Sequence, residues 1–128
     1  MPSPDPAIFK AYDIRGLYPQ QLDAELARRI GRAFVDYLRP QQIAVGHDMR
    51  ASSPELSAAF IRGARSQGCA VIDIGMASTD MLYFAVAHGN LEGGAIITAS
   101  HNPKEYNGIK MVRRGAEALS GDAGIRPS

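Results

Sequence analysis

The spacing of apolar positions changes several times along the chain, and each change marks an element. Leu22, Leu26, Ile30, Ala33, Phe34 and Tyr37 recur at intervals of three and four, the period of a helix with one buried face. Asp23 is placed to cap its start and Pro40 to close its end. Ile43-Ala44-Val45-Gly46 is a short unbroken apolar run, read as a strand. It gives way to the polar stretch His47-Asp48-Met49-Arg50-Ala51-Ser52, read as a strand-to-helix loop. Ser53, Pro54 and Glu55 offer a cap, a first-position proline and a first-turn acid for a second helix. Its predicted buried face is Leu56, Ala59, Phe60, Gly63 and Ala64, and Gly68 supplies a left-handed stop. Ala70-Val71-Ile72-Asp73-Ile74 predicts a buried strand, Ser78 or Thr79 through His88 a third helix ended at Gly89, and Ala95-Ile96-Ile97-Thr98 another buried strand. Gly108 to Val112 returns after a loop, residues 99–107, too short for a parallel crossover helix, so this last pairing is predicted antiparallel.

Strands alternating with amphipathic helices predict an α/β fold, a three-layer α/β/α sandwich with a small mixed, mostly parallel sheet. Prolines 2, 4 and 6 deny regular hydrogen bonding, so residues 1–7 are expected to be a flexible leader and 8–128 a single domain. Sites in such folds gather beyond the carboxyl ends of strands, which directs attention to the loops 11–18, 47–53, 75–80 and 99–107.

Composition narrows the partners. The 128 residues are 45% apolar and 21% charged, a soluble globular balance. Fourteen basic and thirteen acidic residues are interspersed, and a net charge of +1 gives no broad field for nucleic acid or acidic lipid. Neither a nucleic-acid nor a membrane partner is therefore expected, and any anion must be bound locally. No run of apolar residues reaches the length of a membrane span, and the opening lacks the basic and apolar regions of a secretion signal. The single cysteine, Cys69, sits in an apolar run with no partner for an intrachain disulfide, which fits a reducing compartment and an expected cytoplasmic location.

Chemistry concentrates in Thr98-Ala99-Ser100-His101-Asn102-Pro103, a hydroxyl, an imidazole and a carboxamide on a loop held by a buried strand. An ordinary turn, with Ser100 and Asn102 bonding their own backbone, is the plain alternative. A serine hydrolase is disfavoured, because adjacent residues rarely align as nucleophile and base and no Gly-x-Ser-x-Gly elbow surrounds Ser100. Arg15, next to Gly16, is either a forked donor for a phosphate or a surface arginine paired with Asp13. Lys110, among Ile109, Met111 and Val112, is either turned to solvent or aimed into a cleft beside the loop at 99–107. Asp48 and Arg50 read as structural partners, and His47 and His88 are too isolated to argue for a metal.

Thr98-Ala99-Ser100-His101-Asn102-Pro103 followed by Asn107-Gly108-Ile109-Lys110 resembles the active-serine signature of the α-D-phosphohexomutases. Lys10-Ala11-Tyr12-Asp13-Ile14-Arg15-Gly16 is similar to the opening segment of their phosphomannomutase/phosphoglucomutase members, and phosphoglucosamine mutases resemble a Phe-Gly-Thr-Asp-Gly-Ile-Arg-Gly opening instead. Gly46 to Ser52 resembles a third family segment, with His47 where an arginine is common, and Leu119 to Ile125 resembles the close of the family's first domain. The resemblance implies the first domain of a multidomain mutase that interconverts mannose or glucose 1- and 6-phosphates. Phosphorylated Ser100 would give its phosphate to the sugar and recover another from a bisphosphorylated hexose, which also serves as activator. It implies catalytic roles for Ser100, His101, Lys110 and Arg15, and substrate contacts from Tyr12, Arg15, Asn102 and Lys110. It implies Mg2+ held by the phosphate on Ser100 together with aspartates of a second domain, for which this chain has no counterpart loop. The isolated domain is accordingly expected to be inactive. A sugar-phosphate-binding module that has lost catalysis is the alternative of another class.

Overall fold

The computed structural model describes residues 4–9 and 13–119. In chain order these form β1 (Ile14–Leu17), α1 (Ala24–Leu38), β2 (Gln42–His47), α2 (Ser53–Ser66), β3 (Ala70–Met76), α3 (Thr79–His88), β4 (Gly93–Ile97), β5 (Tyr106–Arg113) and β6 (Glu117–Ala118), with single 3-10 turns at Pro6–Ile8 and Arg114–Ala116. The sheet runs β1-β5-β4-β2-β3, with β6 against β5. It is mixed as predicted, but not mostly parallel. β2 runs parallel to β3 and β4, whereas β5 is antiparallel to β1, β4 and β6, so two parallel ladders stand against three antiparallel ones among the described residues. The excess comes from β1 and β6, each of two to four residues, too short to show an alternation that separates a strand from a loop.

Helices cover both faces, giving the expected three layers. On one side α1 and α2 bury Leu26, Ile30, Phe34, Leu56 and Phe60 against Ile43, Val45, Ala95, Ile97, Ile109 and Met111 of the sheet. On the other, Leu82 and Val86 of α3 pack with Ala44, Ile96 and Val112. The alternation of strand side chains thus assigns neighbouring residues to opposite cores. Phe34 and Phe60 meet across the α1–α2 seam with ring centroids 5.9 Å apart, an arrangement worth about 0.5–1.5 kcal/mol beyond the area it buries.

The helix ends follow the sequence with local differences. Asp23 caps α1 by accepting from the Leu26 N–H at 2.8 Å, and Arg39 in the left-handed conformation ends it ahead of Pro40. Ser78 caps α3 through the Met81 N–H at 3.1 Å. Gly89 closes that helix in the right-handed conformation, and Asn90 takes the positive φ. Gly68, at φ +84°, stops α2 as expected. The start of α2 is a correction: the N-cap is Ser52, and Ser53 is the first helical residue, fully buried and drawn into a polar network. A second correction concerns β3, expected to be buried. It is the edge strand, paired only with β2, and Ile72 and Met76 are exposed. At the start, Asp5 caps the turn Pro6–Ile8 and Ile8 and Phe9 enter the core, so order begins within the segment expected to be a leader. No helix among the described residues is long and apolar enough to cross a membrane.

Candidate functional site

The carboxyl ends of β2 and β4 and the start of β5 meet at one edge of the sheet, joined by backbone bonds from Asp48 N–H to the Ile97 carbonyl (3.0 Å) and from Thr98 N–H to the Gly108 carbonyl (2.8 Å). The loop 98–105 rises from this edge. Its residue Ser100 is exposed, and its hydroxyl has no partner among the described residues. Ser100 adopts φ +56°, a left-handed conformation that costs a residue with a β-carbon about 1–3 kcal/mol and persists only where the surroundings impose it.

Those surroundings are visible. The Ser100 N–H donates to Thr98 Oγ1 at 3.0 Å, and the Ser100 carbonyl accepts from Arg50 Nη2 at 2.9 Å. Arg50 also donates from Nη2 to the Asn102 carbonyl (2.7 Å), and from Nη1 to the carbonyls of Pro103 (2.7 Å) and Tyr106 (2.9 Å). Asn102 closes the turn on itself, its backbone N–H and its Nδ2 both donating to the Ala99 carbonyl at 3.1 and 2.8 Å. That is the loop-building role the sequence left open for Asn102. His101 is exposed beside Ser100, with no partner among the described residues.

A second polar layer lies beneath. Asp48 accepts the Arg50 backbone N–H (3.0 Å) and the Ser53 hydroxyl (2.5 Å) on Oδ1, while its Oδ2 lies 3.4 Å from Arg50 Nε. Asn107, fully buried, donates through Nδ2 to Ser52 Oγ (2.7 Å) and Ser53 Oγ (2.9 Å). Asp48 and Arg50 are structural partners as read from the sequence. The pairing of Asn107 with Ser53 has no local signal in the sequence, because only the tertiary fold brings residues 53 and 107 together.

The cations occupy the α3 side of the sheet. Arg15 pairs in register with Gly108, and Lys110, two residues on, pairs with Ile96, whose side chain lies in the α3 core. Gly108 is what allows this: a β-carbon there would fall 2.4 Å from the Ile14 carbonyl oxygen, 2.9 Å from Arg15 Cγ and 2.9 Å from the Thr98 carbonyl oxygen. Arg15 Nε bonds Asp13 at 3.2 Å, so the ion pair weighed from sequence exists, but its terminal nitrogens have no partner among the described residues. Lys110 is half-buried and likewise unpaired among them. The Tyr83 phenol of α3 is pushed above its ordinary pKa, first by burial and then by the negative charges of Asp80 and Asp13. α3, whose Leu82, Val86 and Tyr83 pack with Ile96 and Val112, walls the same face. Tyr12 lies outside the described residues, as do the segments Lys10 to Tyr12 and Ser120 to Ile125.

Lys110 and the terminal nitrogens of Arg15, unpartnered among the described residues and near an exposed serine loop, suit a tetrahedral oxyanion such as a phosphate. Among the described residues no three His, Cys, Asp or Glu side chains cluster as metal ligands.

Residues 6–125 match the family model described as phosphoglucomutase/phosphomannomutase, alpha/beta/alpha domain I. A phosphomannomutase of Salmonella montevideo is 49% identical over 118 residues, covering 92% of this chain and 26% of that protein. A protein of Xanthomonas campestris pv. campestris named for phosphohexose mutases is 48% identical over 117 residues, covering 91% of this chain and 26% of its own length. The crystal structure of a phosphoglucomutase/phosphomannomutase family protein from Burkholderia thailandensis superposes with a TM-score of 0.88 at 43% identity, covering 95% of this chain and 29% of that one. The chain thus spans about a quarter of the length of these relatives.

Proposed function

Because the chain belongs to the phosphoglucomutase/phosphomannomutase family as its α/β/α domain I, we propose that it supplies the phosphate-carrying serine of a mutase that interconverts hexose 1- and 6-phosphates. The observation that carries the reading is the setting of Ser100: an exposed hydroxyl on a strained, braced loop, near Lys110 and the terminal nitrogens of Arg15, which have no partner among the described residues.

Phosphoryl transfer asks for position and for cations that offset charge on the phosphoryl oxygens, and little else of the protein. Phosphate on Ser100 would pass to a free sugar hydroxyl. The O–P bond to Ser100 breaks and Oγ takes up a proton, the bond to the sugar oxygen forms, and the proton of the sugar hydroxyl passes to a base. The bisphosphorylated sugar then returns its other phosphate to Ser100 Oγ, which gives up a proton in turn. Lys110 and His101 are the proposed proton carriers. Arg15 offers its terminal nitrogens to the phosphate in flight, and Asn102 adds a substrate contact from the braced turn. Mg2+, bound to the Ser100 phosphate and to acidic groups outside the described residues, would supply further charge neutralisation. Mannose and glucose phosphates are the proposed substrates, a bisphosphorylated hexose the activator and other domains of the same enzyme the partners. The 128 residues alone are proposed to lack turnover.

In the polypeptide that carries this domain, mannose 1-phosphate or glucose 1-phosphate with Mg2+ and a hexose bisphosphate should be converted to the 6-phosphate, and Ser100→Ala should abolish conversion. Conversion at the wild-type rate by Ser100→Ala would remove the basis of the proposal.

A further inference from the structure

We infer that Arg50 is the positioning residue of the reaction centre, holding Ser100 in its left-handed conformation and taking no part in binding the phosphate. The inference rests on the role proposed for Ser100. A guanidinium has five N–H donors. Four of those of Arg50 are engaged in hydrogen bonds, two of Nη1 on the carbonyls of Pro103 and Tyr106 and two of Nη2 on those of Ser100 and Asn102, while Nε faces Asp48 Oδ2 in an ion pair at 3.4 Å. An arginine at an anion site invites the reading of an anion ligand, but the terminal nitrogens of this one have no donor left to offer and its Nε is turned to a carboxylate. What it does is satisfy four loop carbonyls that converge on one point and, without it, would repel one another.

The consequence for Ser100 is specific. Its N–H is held by Thr98 Oγ1 and its carbonyl by Arg50, so both peptide groups flanking its Cα are fixed and φ stays at +56°. Arg50 is anchored in turn by Asp48, which also accepts the Ser53 hydroxyl at the start of α2. The 98–105 loop is thereby tied to the rigid β2–α2 junction by a side chain 50 residues away in sequence. Lysine cannot replace this fork, having one nitrogen and no planar array of donors.

The test pairs two variants with two readouts. In the 128-residue chain, backbone amide and Cα NMR shifts of residues 98–106 should move in Arg50→Lys while those of β3 and α3 stay in place and the melting transition remains cooperative. In the complete enzyme, Arg50→Lys should lose about a hundredfold in kcat, the scale of a misplaced reacting group, with KM for the hexose phosphate unchanged. Added guanidinium ion should restore part of the kcat lost by Arg50→Ala. A loss confined to KM would make Arg50 a substrate ligand and overturn the inference, as would wild-type kcat in Arg50→Lys or unmoved loop signals. If Arg50→Ala does not fold, Arg50→Lys decides alone. If wild-type enzyme does not turn over hexose phosphates, the proposed function fails, and the NMR comparison still judges the clamp.

Discussion

At the scale of single residues, the site separates into groups that act and groups that hold. We place Lys110 in the first kind: a half-buried ammonium without a counter-ion among the described residues, on a face shared with Arg15. Such a group is costly unless something negative visits it. Lys110→Met should therefore lower kcat of the complete enzyme by roughly a hundredfold, the effect of removing one preorganised charge, with the melting temperature unchanged or raised. Steady-state kinetics and thermal melting of the two proteins side by side check this, and unaltered kcat would return Lys110 to an ordinary strand residue. The residues proposed to act stand out in the sequence because the serine loop is contiguous and its lysine follows within ten positions. The holding residues were less so. Arg50, Asp48, Ser53 and Asn107 come from three segments, and nothing local marks Asn107 as the partner of Ser53, nor Arg50 as the donor to four carbonyls of another loop.

At the scale of elements, periodicity served the long amphipathic segments well. α1, α2 and α3 lie where their apolar spacing puts them, with the cap of α2 one residue earlier than expected, since each buries one face against the sheet. Short elements escaped for lack of signal: β1 has four residues and β6 two. β3 was found but assigned to the interior, because Val71, Ile72 and Ile74 give the same apolar run whether a strand has one neighbour or two. The packing of α1 on α2 carries a sharper test. A β-carbon at Gly63 would fall 1.9 Å from the Arg28 carbonyl oxygen, and one at Gly31 2.2 Å from the Phe60 carbonyl oxygen, so the two backbones touch directly. Neither obstacle is a side chain that can swing aside. Gly63→Ala should force the helices apart, loosen the Phe34–Phe60 contact and cost roughly 1–3 kcal/mol or more, against the small gain that alanine brings to an open helix. Urea unfolding of Gly63→Ala beside wild type measures it, and equal or greater stability would contradict the close approach.

At the scale of the whole molecule, the domain presents an exposed serine loop, an unpaired Lys110, an Arg15 with unpartnered terminal nitrogens and no cluster of metal ligands, all among its described residues. It spans about a quarter of the length of its relatives, and in the proposed function the phosphate carrier sits here while the remaining ligands would come from outside these residues. The central claim is that Ser100 carries the exchangeable phosphate. The direct measurement is to incubate the complete enzyme with hexose bisphosphate labelled in its phosphates, digest it, and locate the label by mass spectrometry of the peptides. Label on Ser100, chased off by unlabelled hexose monophosphate and absent from Ser100→Ala, is the predicted result. Exchangeable label on another residue, with Ser100 unmodified, would contradict it.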